Sequence, residues 1–132
     1  MQDTSIHSSE AVTNGIRVKV TSQFSHAETE RQRWHFTYTV RIANEGTETV
    51  QLVSRHWIIT NGSNEVKEIK GPGVVGHQPM LAPGQSYEYT SGCQLPTPFG
   101  SMHGTYRMVG RNGGEFDAEI AEFALSERYT VH

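Results

Sequence analysis

The sequence predicts an all-β fold, an antiparallel β-sandwich of about seven short strands. Three observations favour it. Apolar and polar residues alternate with period two in several segments, Gly and Pro interrupt these segments, and no segment carries the apolar stripe of a helix. The 13 glycines and 5 prolines among 132 residues supply the turns. An open barrel is the competing architecture.

The N-terminal part divides into an arm and a first strand. Residues 1–11 are polar and aperiodic, and we expect a flexible arm there, followed by a single domain over residues 12–132. The alternation in residues 16–21 (IRVKVT) predicts a strand. Residues 23–33 are charged and lack an apolar stripe, so we expect an exposed loop.

The next three strands are predicted around an Asn-Gly turn. Residues 34–42 place five apolar side chains on one face, and residues 50–60 are more continuously apolar, as in a central strand. Asn61-Gly62 is typical of a two-residue turn that leads into a strand over residues 65–70. Such a turn would place Arg55 opposite Glu68.

A connection rich in Gly and Pro precedes the next strand. Residues 71–84 contain four glycines and three prolines, a density that a central strand does not tolerate. Residues 85–95 then have a weak strand pattern, which ends at Pro96 and Pro98.

The last hairpin is predicted over residues 105–111 and 115–124. A three-residue loop, Asn112–Gly114, keeps Tyr106 and Met108 on one face with the apolar residues of the final strand. It also sets Arg107 opposite Glu119.

Length, charge and cysteine content exclude several function classes. A chain of 132 residues predicts one domain. Its 11 Lys+Arg against 14 Asp+Glu give a net charge of -3, so we expect no nucleic-acid binding, and no apolar run is long enough for a membrane span. The single Cys93 excludes an internal disulfide, and the start lacks the pattern of a signal peptide, which predicts a cytoplasmic protein.

One short motif is a candidate ligand site. The segment Gly71-Pro72-Gly73-Val74-Val75-Gly76 has the form G-x-G-x-x-G, but neither a parallel strand nor a helix is predicted around it, which argues against a dinucleotide site. Successive amides of such a loop can instead form a concave nest for a phosphate-like anion. The candidate anion loop comprises Gly71, Gly73, Gly76, His77 and Gln78.

Metal and catalytic sites are not predicted. The seven histidines are scattered singly, with no spacing typical of zinc ligands, and His35 lies on the polar face of its strand. A Cys93–His103 pair is conceivable, but nothing in the sequence lowers the pKa of the thiol. We therefore expect no catalytic residues, no metal, no cofactor and no enzymatic activity.

Two segments resemble the bacterial ApaG family. They are Gly71–Met108 (GPGVVGHQPMLAPGQSYEYTSGCQLPTPFGSMHGTYRM) and Arg55–Gly62 (RHWIITNG), and the resemblance extends over nearly the whole chain after residue 11. It implies an immunoglobulin-like or fibronectin type III-like sandwich without catalytic residues. Members are linked to cobalt and magnesium efflux, and by gene neighbourhood to diadenosine tetraphosphate metabolism. Similar eukaryotic domains act as protein-interaction modules.

These observations predict a non-enzymatic interaction or regulatory domain with a protein partner. The alternative is binding of a phosphate-rich small molecule, a nucleotide or pyrophosphate, at the candidate anion loop. The predicted interaction patch lies on the loops 71–81 and 96–104. It comprises Val74, Val75, Met80, Phe99 and Met102. The sequence leaves the oligomeric state open.

Overall fold

The computed structural model describes residues 6–127, and these form nine strands and one 3-10 turn. The predicted fold class, an antiparallel sandwich of the immunoglobulin-like kind, is confirmed. Two short strands that the sequence did not predict raise the number above seven. The elements are β1 (His7–Thr13), β2 (Ile16–Glu28), the 3-10 turn (Thr29–Arg31), β3 (Arg33–Asn44), β4 (Val50–Asn61), β5 (Val66–Pro72), β6 (Met80–Leu81), β7 (Ser86–Leu95), β8 (Phe99–Gly110) and β9 (Glu115–Ser126).

The strands form two sheets. Sheet A has the order β1-β2-β3-β7, and sheet B has the order β5-β4-β8-β9, with β6 also paired to β4. All named pairs are antiparallel. No helix in residues 6–127 is long and apolar enough to cross a membrane.

The core lies between the inner faces of the sheets, and period two decides which side chains enter it. In sheet A, Val18, Val20 and Val40 are completely buried while their polar neighbours face outward. At the centre, Trp57 of sheet B packs edge-on against Tyr38 of sheet A, with ring centroids 5.3 Å apart. The alternation therefore identifies the inner faces of β2 and β3 correctly.

The flexible arm predicted for residues 1–11 is wrong for residues 7–11. His7–Thr13 forms an edge strand that pairs with β2 through a turn in which Asn14 and Gly15 have positive φ. Inward side chains of β1 are small or polar, so the strand has no apolar alternation. Ser9 Oγ donates instead to the carbonyl oxygen of Ala121 at 2.7 Å. Residues 1–5 of the predicted arm lie outside the described residues.

The exposed loop predicted over residues 23–33 is also wrong. β2 continues to Glu28, and only residues 29–32 leave the sheet, with Thr29–Arg31 forming a 3-10 turn. A β-bulge between Phe24 and His26 interrupts the register with β3. This bulge reverses the faces on which the last residues of β2 lie.

Hairpin registers differ from the predicted ones although the predicted strands exist. Four residues, not two, separate β4 from β5, and Arg55 faces Gly71 instead of Glu68. In the last hairpin the loop also has four residues, and Arg107 faces Asp117 instead of Glu119. The predicted shared face of Tyr106 and Met108 is nevertheless correct, since both are completely buried.

Candidate functional site

The two long sides of the sandwich differ. On one side, β1 and β2 pack against β9 and the sheets are joined by side-chain hydrogen bonds. Ser9 Oγ and Ser22 Oγ donate to carbonyl oxygens of β9, each at 2.7 Å, and Thr13 Oγ1 accepts from the amide of Glu119 at 3.1 Å. Small hydroxyl side chains let the strands approach closely, so this side is closed.

The opposite side is open between the edge strands β5 and β7. The gap is a cleft of about 640 Å³, within the range of roughly 300–1,000 Å³ that is usual for ligand sites. Its floor consists of buried apolar and aromatic side chains, including Tyr38, Trp57, Ile59, Leu95 and Met102. Its rims are formed by Lys67 and Ile69 of β5 and by Ser91 and Cys93 of β7. We call it the β5–β7 cleft.

Lys67 explains why the cleft stays open. It lies opposite Ile59, and therefore on the face of β5 that continues the core, yet its side chain is exposed. An unpaired ammonium group cannot be buried at tolerable cost, so β7 cannot close over this position. An apolar residue here would favour a closed edge.

Arg55 lies at one end of the β5–β7 cleft and connects it to the Gly/Pro-rich connection. Its Nη1 donates to the carbonyl oxygens of Pro72 and Gly73, both at 2.9 Å. The guanidinium lies over Gly71, where an added Cβ would be 3.0 Å from Nη2. A glycine at position 71 thus lets Arg55 hold the end of β5 in place.

Burial keeps two titratable groups of the cleft neutral, the Cys93 thiol and the Tyr38 phenol. Desolvation raises the pKa of the Cys93 thiol to about 11, against the opposing effect of the positive charge on Lys67. Desolvation also raises the pKa of Tyr38, against a smaller effect of its hydrogen bond to Ser91. The charged side chains that line the cleft are therefore Arg55, Lys67 and Glu65.

The candidate anion loop is a tight turn whose amides are largely engaged. Val74 and His77 exchange both backbone hydrogen bonds at 2.8 Å, and Val75 and Gly76 between them have φ values of 42° and 82°. This is the geometry of a two-residue turn with left-handed central residues. Gly73 N donates to the carbonyl oxygen of Val53 at 2.9 Å. Three of the amides that a nest would offer are therefore bonded within the protein.

Gln78, the last residue of the candidate anion loop, also has structural partners. Gln78 Nε2 donates to the carbonyl oxygen of Val53 at 2.8 Å, and Gln51 Nε2 donates to the carbonyl oxygen of Gln78 at 3.1 Å. Gly73 has no room for a side chain, since an added Cβ would lie 2.2 Å from the carbonyl oxygen of His77. The glycines of the motif thus serve the turn and the Arg55 contact.

The predicted interaction patch is not one surface. Val74 and Met102 belong to the core, each 1% exposed, while Val75, Met80 and Phe99 are more than half exposed. Met80 pairs with Gln51 near the start of β4, whereas Gly100, which follows Phe99, pairs with Asn61 at its end. Ten residues of extended strand separate these positions by roughly 33 Å. The sequence could not show this, because it does not specify which strands neighbour each loop.

The structure does not bring Cys93, the candidate nucleophile, close to His103, its candidate base. Cys93 lies on the inner face of sheet A, opposite Phe36, whereas His103 lies opposite Ile58 on the outer face of sheet B. On β9, the acidic residues Glu115 and Asp117 both lie near one arginine, Arg107. Arg107 Nε lies 2.8 Å from Asp117 Oδ1, and Arg107 Nη1 lies 3.8 Å from Glu115 Oε1.

A histidine cluster that the sequence did not predict lies at the end of the β2–β3 hairpin. His26, Glu28 and His35 place their potential ligand atoms within 4.8 Å of one another. Spacing along the chain gave no sign of it, because His26 and Glu28 reach the face of His35 only through the bulge in β2. The sequence predicted no metal site, and the structure brings together donors suitable for one.

Comparison with known proteins agrees with the resemblance in the sequence. Residues 24–110 match the family model of the ApaG domain. Protein ApaG of Bordetella pertussis is 51% identical over 119 residues, covering 89% of this chain and 91% of the relative. Protein ApaG of Anaeromyxobacter dehalogenans is 57% identical over 117 residues, covering 89% and 94%. These names state no reaction, substrate or partner.

Solved structures agree in fold. A crystal structure of the ApaA protein from Bordetella pertussis has a TM-score of 0.83 at 51% identity and covers 87% of this chain and 95% of its own. A second X-ray structure, a structural-genomics target, has a TM-score of 0.85 at 40% identity and covers 92% and 96%. On the match of the family model and of these relatives over most of its length, the chain belongs to the ApaG family.

Proposed function

We propose that this chain is a protein-interaction domain that binds an extended peptide segment in the β5–β7 cleft. The observation that carries the proposal is the open side of the sandwich, where two edge strands border an apolar floor. Peptides commonly bind to such edges by adding a strand, with backbone hydrogen bonds providing affinity and pockets beneath them reading alternate side chains.

The edge of β7 is the better docking strand. β7 is ten residues long and has β3 as its neighbour in sheet A, so its other edge faces the cleft. β5 is shorter and ends in Gly71-Pro72, and proline has no amide proton to donate. An added strand would therefore pair with Ser86–Leu95, with every second side chain directed at the floor.

The side chains of the cleft specify the chemistry of the segment. Tyr38, Trp57 and Met102 favour an apolar or aromatic residue that fills the space between the sheets. Lys67 and Arg55 add two positive charges at the rim against one negative charge on Glu65, whose Oε1 accepts a hydrogen bond from the side-chain amide of Asn61 at 3.0 Å. The expected ligand is an extended segment with one apolar anchor beside an acidic residue.

The cleft is a better candidate than the glycine loop, because three of the loop amides are engaged within the protein, whereas the outer edge of β7 has no neighbouring strand among the described residues. The proposed function involves no catalytic step. The nucleophile in the cleft, Cys93, has a pKa raised to about 11, opposite to the direction that activates a thiol.

The test is a selection from a random peptide library displayed on phage, followed by affinity measurements with the selected peptides. We expect peptides with an apolar anchor and a neighbouring acidic residue. Lys67→Glu should weaken binding at least ~10-fold, a loss of about 1.4 kcal/mol. Lys70→Glu is the matched control, since Lys70 lies on the outer face of the same strand, opposite His56, and should change affinity less than about twofold.

Amide shifts locate the peptide. We expect the largest changes and new protection from hydrogen exchange along Ser86–Leu95. A selection that yields no peptide, or peptides whose shifts lie away from β5 and β7, would refute the proposal. Equal weakening by Lys67→Glu and Lys70→Glu would also refute it, because it would indicate only a general charge effect.

A further inference from the structure

We propose that His26, Glu28 and His35 form a binding site for a single divalent transition-metal ion of the zinc type, on the outer face of sheet A. This site is separate from the β5–β7 cleft, which lies between the sheets. Three observations support it: a bulge brings the donors together, the donors lie close to one another, and two shielded polar atoms have no hydrogen-bond partner among the described residues.

The bulge creates the site. Phe24 pairs with Phe36 on the core face of the hairpin, and an uninterrupted register would continue by placing His26 opposite Trp34, also on the core side. The extra residue, Ser25, shifts the pairing so that His26 faces His35. Both imidazoles then lie on the outer face, with Glu28 one step further along the same face.

The geometry suits one small ion. The imidazole rings of His26 and His35 stack with centroids 4.3 Å apart and an interplanar angle of 14°. His35 Nε2 lies 3.8 Å from Glu28 Oε2, and one potential ligand atom from each of the three residues lies within 4.8 Å of the other two. Tetrahedral ligands at about 2.0–2.2 Å from zinc are roughly 3.3–3.5 Å apart, so modest side-chain rotations complete the site.

Two of the donor atoms lack hydrogen-bond partners among residues 6–127. Glu28 Oε2 and His35 Nε2 are shielded from solvent, and neither has a hydrogen-bond partner among the described residues. Shielded polar atoms are almost always satisfied by protein groups, water or ions, and the 3.8 Å between these two atoms leaves room for one small ion that both could bind. A cation satisfies both, since it accepts lone pairs from the carboxylate and from the imidazole.

Neighbouring groups support this assignment. Ser25 Oγ lies 3.2 Å from His26 Nδ1 and can fix the ring with Nδ1 protonated, which leaves the Nε2 lone pair for a metal. Arg33 is a nearby cation, whose Nη1 lies 3.6 Å from Glu28 Oε2. Both partners of this ion pair are well exposed, so the arginine can turn to solvent at little cost. On the other side of β3, His35 faces the neutral Gln94.

The donor set selects the metal. Two imidazoles and one carboxylate suit zinc and its neighbours in the first transition row, and leave a fourth position for water or for a group of another molecule. Magnesium prefers oxygen ligands, and we expect it not to compete.

The test is a zinc titration of the full chain without an affinity tag, followed by calorimetry and by imidazole nitrogen shifts. We expect one zinc ion per chain, with the shifts of His26 and His35 moving together. Glu28→Gln, which preserves shape, and His35→Asn should each weaken zinc binding at least ~10-fold. His56→Asn is the matched control, because His56 also contacts a carboxylate, Glu68 at 2.7 Å, outside any three-donor cluster.

Two outcomes would overturn the site. One is zinc affinity that is the same in the wild type, Glu28→Gln and His35→Asn, which would assign the metal to the other histidines. The other is the absence of saturable binding at millimolar zinc. The amide spectrum of each variant establishes that it is folded before its affinity is compared.

Discussion

The hydroxyl groups of Tyr89 and Tyr106 hydrogen-bond to each other inside the sandwich, one from each sheet. Both side chains are buried, Tyr106 completely. The pair connects the two sheets through the core, near Arg55, whose charge acts on both phenols. Each hydroxyl depends on the other for its partner.

We therefore expect Tyr89→Phe to destabilise the fold by about 1–3 kcal/mol, because it leaves the Tyr106 hydroxyl buried without its partner. The double variant Tyr89→Phe, Tyr106→Phe should recover most of this loss, because it removes both polar groups. Urea unfolding of the wild type, Tyr89→Phe, Tyr106→Phe and the double variant measures the difference. If the double variant lost the sum of the two single losses, the hydroxyl pair would not be the cause.

The same pair predicts alkaline sensitivity. Burial raises the pKa of Tyr89 and of Tyr106 above the ordinary value of 10.0. In the unfolded chain both phenols ionise near that value, so above it the unfolded state releases protons that the folded state retains. The stabilisation is complete below pH 10 and declines as the pH rises above it.

Unfolding free energies measured at increasing pH test this point. We expect the wild type to lose stability more steeply above pH ~10 than the double phenylalanine variant, which lacks both groups. Parallel pH profiles would show that these two tyrosines do not cause the alkaline loss.

Cys93 should react slowly although it lies on the rim of the β5–β7 cleft. Burial raises its pKa from 9.0 to about 11. This higher pKa lowers the fraction of thiolate at pH ~8 about 100-fold. We expect iodoacetamide to alkylate the folded protein at least ~100-fold more slowly than the same protein in denaturant. A folded rate within about threefold of the denatured rate would contradict the raised pKa.

Two glycines provide a matched test of backbone contact. Gly104 lies opposite a bulge in β9, and an added Cβ at this position would lie 1.9 Å from the carbonyl oxygen of His56. At Gly92 the nearest atom is the carbonyl oxygen of Phe36 at 3.5 Å, an ordinary contact. We expect Gly104→Ala to cost about 3 kcal/mol or more, and Gly92→Ala to be neutral or stabilising by up to ~1 kcal/mol.

Denaturant unfolding measures both variants against the wild type. Similar effects at the two positions would mean that the conformational freedom of glycine, and not the close approach of β4 to β8, determines the need for glycine at position 104.

The period-two pattern correctly predicted the face of the sheet on which each side chain lies, but it did not predict which residues pair across neighbouring strands. The alternation in β2 and β3 identified buried Val18, Val20 and Val40, since the side to which a residue points depends only on its local extended backbone. In the last hairpin, the predicted register differs by two residues from the observed pairing of Arg107 with Asp117. A shift by two leaves every side chain on its face, so the apolar pattern is the same for both registers.

The two candidate sites depend on structure that no local pattern encodes. The β5–β7 cleft exists because sheet A ends at β7 and sheet B at β5, which is a property of strand order. The predicted interaction patch was wrong for the same reason. Val75 lies in the connection after β5, whereas Phe99 begins β8, and the sequence does not show how far apart these positions are. The histidine cluster depends on one extra residue, Ser25, in one strand of a pair.

By itself, then, the sequence determined the fold class, the inner faces of the main strands, most turn positions and, by its motifs, the family. Tertiary structure decided the registers, the edge strand at residues 7–13, the side on which the sandwich is open, and the meeting of His26 and Glu28 with His35. The division has a physical cause. Backbone geometry fixes the direction of each side chain within a strand, whereas loop closure, bulges and sheet packing fix which strands meet, and these depend on contacts between residues distant in the chain.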